Sequence, residues 1–223
     1  MTTFAHPLVC SIEETSTLTL ALDYLTANEA IVAPTDTVYG LMCRFDQPEA
    51  IEKLYEIKGR PPTKAIPVLI GHFEQLNLLT TLPLSPIVQA LADQFWPGPL
   101  TIVLPALSTL PAILTAQQPT IGVRLPNHAW LRELMGQSGP LAATSANGSG
   151  QVEAHTVVEV LTQLQDRIGL VLADPILEQA SDTTHLASTV VSVTGDQSVQ
   201  LLRAGPIAPY VKQFLQDRFA LSC

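Results

Sequence analysis

The sequence predicts an α/β fold, with one domain built on a twisted, mixed, open sheet flanked by helices. Three observations predict it. Short apolar segments of strand type alternate with segments whose apolar residues recur at the helical period. Capping-box patterns mark two helix starts, Ser11–Glu14 and Thr156 with Glu159. Apolar residues make up 47% of the 223 and charged ones 14%, which favours a large core over intrinsic disorder.

The elements follow in order. Ser11–Glu14 precedes Leu18, Leu22 and Leu25 at helical spacing, and "AIVAPT" then reads as a buried strand. Asp46, Pro48 and Glu49 open a second helix that turns Ile51, Leu54 and Tyr55 inward. "AIPVLIG" (65–71) reads as a strand, and residues 85–95 as a helix that ends before "WPGP". "LTIVLPA" (100–106) and "TIGVRLP" (120–126) are strands joined by a proline-containing connection. A helix over 128–136 leads to the strand "PLAATSA" (140–146). Thr156 and Glu159 start a helix carrying Val157, Val160, Leu161, Leu164 and Ile168 on one face. "GLVLAD" (169–174), "STVVSV" (188–193) and "VQLLRAG" (199–205) are strands, and residues 208–219 form the last helix. Residues 175–187 read as loop, and nothing in the chain reads as an interdomain linker.

Composition excludes several classes. No apolar run reaches the roughly 18 residues a bilayer span needs, and the N-terminus lacks the pattern of a secretory signal. Three scattered cysteines, Cys10, Cys43 and Cys223, point to a reducing cytoplasmic setting. No Cys/His cluster suggests a structural zinc ion. The formal net charge of −9 leaves room only for local or transient RNA contact.

Chemistry-bearing residues gather at strand ends. "PTDTVYGL" (34–41) places Thr35 and Thr37 two apart, where a turn bonding its own backbone and a ligand wall are both open readings. "KGRP" sets Lys58 and Arg60 where a helix ends. Cations are favourable there in their own right, yet two of them can also face one polyphosphate. "TSANGSG" puts Thr144, Ser145, Asn147 and Ser149 after an apolar strand, with glycines that admit close approach of a ligand. Arg124 lies in an otherwise apolar strand and needs either a carboxylate or a ligand. "STV" begins at Ser188, and "LLRAG" carries Arg203. Neither a Walker P-loop nor a dinucleotide fingerprint is present, so any ATP is cradled otherwise.

"PTDTVYGL", "KGR", "WPGPLTIVL", "GVRLPNH", "SAN-SG", "STVV" and "LLRAG" stand in the order seen in the YrdC-like threonylcarbamoyl-AMP synthase family, which the chain resembles over about residues 15–210. The resemblance implies a single YrdC-like domain over 1–223 with a concave ligand cleft and no second, C-terminal domain. It implies an L-threonylcarbamoyladenylate synthase, a nucleotidyltransferase that joins L-threonine, bicarbonate and ATP, with Mg²⁺ accompanying the nucleotide and no metal ligand from the protein. A tRNA threonylcarbamoyl-transfer complex would accept the product. By the same resemblance Lys58, Arg60, Ser145 and Asn147 are catalytic. Thr35, Arg60, Arg124 and Ser188 meet threonine, and Lys58, Thr144, Ser145, Asn147, Ser149 and Arg203 meet the nucleotide.

The chain departs from the family pattern in places. Met42 follows "YGL" where many members have glycine, and "AIPVLI" lacks the histidine many carry in that strand. "ADP" stands for "D-G-G", and "HLASTV" lacks a glycine, so the 174–188 flap has its own shape. The alternatives are a carbamoyl-adenylate-forming relative, as in hydrogenase maturation proteins, and a non-catalytic RNA-binding module of the same fold.

Overall fold

Ten strands form one sheet in the computed structural model, which describes residues 6–179, 186–194, 198–221 and 223. The strands are β1 (Leu8–Ser11), β2 (Ile31–Ala33), β3 (Gly40–Arg44), β4 (Val68–Leu69), β5 (Leu100–Pro105), β6 (Thr120–Arg124), β7 (Leu141–Ser145), β8 (Leu170–Ala173), β9 (Thr189–Thr194) and β10 (Ser198–Arg203). The helices are α1 (Thr17–Thr26), α2 (Pro48–Lys58), α3 (Pro86–Phe95), α4 (Ala112–Thr115), α5 (Ala129–Ser138), α6 (Val157–Leu164), α7 (Pro175–Gln179) and α8 (Ala208–Phe219). The sheet order is β1-β8-β2-β3-β7-β4-β6-β5-β9-β10, with parallel and antiparallel pairs mixed. The α/β reading with a mixed, open sheet holds.

The sheet separates two apolar clusters by the two-residue period of its strands. Ile31 and Ala33, Leu141 and Ala143, and Leu170 and Leu172 face the cluster that holds Leu131, Leu134 and Met135 of α5 and Ala21 and Leu25 of α1. Val32, Ala142 and Val171, one residue away in each strand, face the larger cluster with α2, α3, α6 and α8. A one-residue slip would exchange the two faces throughout, so the register is strongly specified. The functional cleft opens on the α1/α5 face, beside the residues that these helices cover.

Several sequence expectations are corrected. Ser11–Glu14 is no capping box. Ser11 ends β1, a strand the sequence reading did not contain, and its carbonyl accepts the Thr17 hydroxyl at 2.7 Å. Helix α1 starts with Ser16 at its N-cap and no side-chain cap. Asp46 does not cap α2 either; it pairs with Arg44, and Gln47 precedes Pro48 at N1. The strand expected over 65–71 shortens to Val68–Leu69. Helices α4 and α7 occupy stretches read as connection and loop. The Thr156/Glu159 capping box forms as expected. Residues 180–185 of the expected flap lie outside the described residues.

Gly205 shows how tightly the cleft side of the sheet is packed. A Cβ there would stand 2.4 Å from the Thr189 nitrogen and 2.5 Å from the Ala187 oxygen, both backbone atoms. Gly136, exposed within α5, has nothing within 4 Å. Thermal unfolding should therefore separate two glycine-to-alanine changes. Gly205→Ala should cost at least about 1–3 kcal/mol by overpacking, whereas Gly136→Ala should gain about 0.5–1 kcal/mol from helix propensity. Equal and small shifts would show that the 187–189 backbone yields freely.

Candidate functional site

The passage from β2 to β3 shows how the first motif folds. The Thr35 hydroxyl accepts from the backbone nitrogens of Thr37 and Val38 at 3.0 and 3.2 Å and donates to the Val38 oxygen at 2.7 Å. This is a side chain closing its own turn. The Thr37 hydroxyl accepts from Arg124 Nη1 at 2.9 Å, which leaves its proton for Thr35 Oγ1 at 3.0 Å. Arg124 is 5% exposed. Its Nε donates to the Gly98 oxygen at 3.1 Å, and its Nη2 pairs with the Asp36 carboxylate. The buried charge in β6 thus has an internal carboxylate and also lines the cleft.

The second and third motifs join through one ammonium group. Helix α2 ends in a Schellman turn at Gly59 (φ 63°), with the Arg60 nitrogen donating to the Tyr55 oxygen at 3.0 Å. Lys58, the last residue of the helix, is 5% exposed. Its Nζ does not cap the helix carbonyls. It donates to Asn147 Oδ1 at 2.7 Å, to Ser145 Oγ at 3.0 Å and to the Ser145 carbonyl. Asn147 Nδ2 in turn donates to the Gln151 oxygen at 2.6 Å, and the Ser149 nitrogen donates to the Lys58 oxygen at 2.9 Å. The 147–151 turn is therefore shaped around the lysine. Burial, then repulsion from Arg60, pull the Lys58 pKa down to about 8.

The far wall comes from β9 and β10. Arg203 donates to the Ser188 carbonyl at 2.8 Å and to its hydroxyl at 3.0 Å, and that hydroxyl lies 2.8 Å from Thr101 Oγ1. Arg60 Nη2 donates to the Ala65 oxygen at 2.8 Å.

Thr35, Arg60, Arg124, Thr144, Ser145, Ser188 and Arg203 line one cleft of about 180 Å³. Lys58 and Asn147 lie directly behind Ser145, buried. Ser149 is exposed and faces a neighbouring recess of about 470 Å³ that Lys58 also lines. Asp36 and Thr101 join the site without having been selected from the sequence, while Thr37, paired with Thr35 in the first motif, lines the cleft beside it. Glu153 joins them, lying near both Lys58 and Arg203 and accepting from the Ala187 nitrogen at 3.2 Å. A weak signal existed for Asp36, because a buried arginine calls for a carboxylate, and Asp36 stands inside a motif already singled out.

Burial is the largest electrostatic influence on these cations, and Glu153 beside Arg203 and Asp36 beside Arg124 counter it more strongly than the neighbouring cations add to it. Arg60 lowers the pKa of Lys58 and of Arg203, and Arg203 lowers that of Arg124, each after burial as the larger cause. Arg60, Arg203 and Arg124 line one opening with Lys58 buried behind it, and the repulsion that Asp36 and Glu153 do not offset is relieved by a polyanion. Among the described residues no group of three His, Cys, Asp or Glu side chains could hold a metal ion. No described helix is long and apolar enough to cross a membrane.

Comparison with known proteins agrees with this geometry. The Sua5/YciO/YrdC family model, described as "Telomere recombination", matches residues 23–205. Threonylcarbamoyl-AMP synthase of Vibrio vulnificus is 35% identical over 194 residues, covering 85% of this chain and 99% of that protein. The enzyme of the same name from Bacillus subtilis is 37% identical over 185 residues, covering 82% of this chain and 51% of its own. Pyrococcus abyssi Sua5, solved in complex with L-threonine, superposes with a TM-score of 0.85 at 28% identity over 96% of this chain and 62% of that one. With the family motifs folded into one cleft and the match spanning most of its length, the chain belongs to the Sua5/YciO/YrdC family.

Proposed function

We propose that the chain makes L-threonylcarbamoyladenylate and pyrophosphate from L-threonine, bicarbonate and ATP. The observation that carries this reading is the set of three arginines, Arg60, Arg124 and Arg203, lining one cleft whose Ser145 wall is held from behind by Lys58. The reaction needs no protein nucleophile. The threonine amine forms a bond to the bicarbonate carbon with loss of water, and a carbamate oxygen attacks the α-phosphorus. The bond from that phosphorus to the bridging oxygen breaks, and pyrophosphate leaves. An enzyme for this chemistry holds three reactants together and offsets charge on the phosphates.

Each residue has a role in that scheme. Arg60 and Arg203 lie along the triphosphate, and Lys58, through its bonds to Ser145 and Asn147, fixes the wall they face. Ser145 and Thr144 offer hydroxyls to the nucleotide, and Ser149 reaches its outer part from the adjoining recess. Arg124, held by Asp36, takes the threonine carboxylate, and Thr35 and Ser188 close that end. Mg²⁺ would arrive on ATP and offset phosphate charge. The enzyme is in this reading a nucleotidyltransferase. Its labile product passes to a tRNA-modifying transfer complex, with only transient RNA contact by the acidic chain itself. Free cysteines at positions 10, 43 and 223 suit a reducing cytoplasm. The relatives named as synthases favour this reading over a non-catalytic RNA-binding module.

Pyrophosphate release measured with each substrate omitted in turn tests the function. Wild type should need threonine, bicarbonate and ATP together, and Arg60→Ala should lose about 10²–10³-fold in kcat/KM. Release without threonine, or full activity in the variant, would sink the assignment.

The pH dependence follows from Lys58. Its ammonium is charged below about pH 8 and loses its proton above. In the free enzyme, kcat/KM for ATP should therefore fall as pH rises through about 8. Lys58→Arg should keep measurable activity and move that fall well above pH 9, because a guanidinium stays charged. An unchanged profile would assign the fall to another group.

A further inference from the structure

The polar groups of the cleft stand on its walls, and its floor is apolar. Met42 lies beside Ala143 in the β3–β7 pair, and Leu69 lies beside Leu141 on one side and Arg124 on the other. Met42 is 0% exposed and Leu69 6%, and both belong to the cluster packed under α5. A Cβ on Gly40 would come within 2.4 Å of Met42 Cε and 3.7 Å of the Thr35 methyl carbon. The thioether therefore lies along the strand over Gly40, and Thr35 turns its methyl the same way while its hydroxyl closes the turn.

Position ties this floor to the amino-acid substrate. An α-carboxylate needs a cation, and Arg124 is the one bonded into the Asp36–Thr37 turn. Leu69 is its neighbour on the adjacent parallel strand, and such neighbours stand about 4.8 Å apart. A side chain on the carbon next to that carboxylate meets Leu69 first and Met42 beyond it. The hydroxyls that face this end, on Thr35, Thr37 and Ser188, already have internal partners.

We propose that Leu69 and Met42 are the specificity-determining residues for the amino acid, and that they read the methyl branch of the side chain by shape and leave its hydroxyl unread. The proposal rests on the synthase reading of the same cleft. A missing methyl in such a pocket costs about 10–200-fold, and an apolar isostere of a hydroxyl is rejected by no more than about 10²-fold, whereas a site built to bond the hydroxyl rejects it by about 10⁴–10⁵-fold.

The experiment measures kcat/KM by pyrophosphate release, with ATP and bicarbonate saturating, for L-threonine, L-serine and L-valine. Wild type should prefer threonine over serine by about 10–200-fold and accept valine within about 10²-fold of threonine. Leu69→Ala should bring the threonine-to-serine ratio down by about tenfold or more and admit L-isoleucine, and the volume-conserving Leu69→Met should restore the wild-type ratio. An unchanged ratio in a folded Leu69→Ala overturns the proposal. So does rejection of valine by 10⁴-fold in the wild type alone, which needs no variant to fold. Wild type without any amino-acid-dependent release removes the synthase reading and the proposal together. Threonine-dependent release with a ratio indifferent to residue 69 removes only the proposal.

Discussion

A single desolvated ammonium holds the site together. Lys58 spends its three protons on the Ser145 carbonyl, the Ser145 hydroxyl and the Asn147 amide oxygen, and its own carbonyl receives the Ser149 nitrogen. A helix end and a strand end that lie 87 residues apart in sequence are thereby fixed against each other. A buried charge without partners would be prohibitively costly, so the 145–151 backbone has little choice of path. The turn that shapes one wall of the cleft follows from satisfying that lysine.

The remaining cations add the complementary constraint. Asp36 balances Arg124 and Glu153 lies near Arg203, which leaves the cluster of Lys58, Arg60, Arg124 and Arg203 with more positive charge than these two carboxylates neutralise. Donors fixed in this way are preorganised, and under the proposed function they would need little reorganisation when phosphate charge arrives. On a chain whose net charge is −9, the cluster also concentrates attraction for small anions at one opening.

Legibility in the sequence followed the range of the interactions. The strands around 31–33, 100–105 and 141–145 were readable because burial on both faces writes near-continuous apolar runs. The Thr156 capping box was readable because its two bonds lie within four residues. Ser11–Glu14 misled because the same residue types also serve a strand end, and only the pairing of Leu8–Ser11 with β8, some 160 residues later, decides between them. Within the site, the motifs "KGR" and "SAN" were visible as residue types. That Lys58 lies behind the wall and not on it was not visible, since that depends on how α2 docks on β7. The Thr35 hydroxyl proved to be engaged by its own turn, the local outcome that spacing alone left open.

Ser188 and Arg203 sit on or beside the outermost hairpin, β9 with β10, which among the described residues joins the rest of the sheet through β5. Edge elements of this kind open locally at a fraction of the global unfolding free energy. A ligand that spans from Arg203 to Arg60 on the central part of the molecule therefore staples the edge to the body. By linkage, such a ligand would raise the hydrogen-exchange protection of the hairpin's amides, and its release would be coupled to the fraying of two strands.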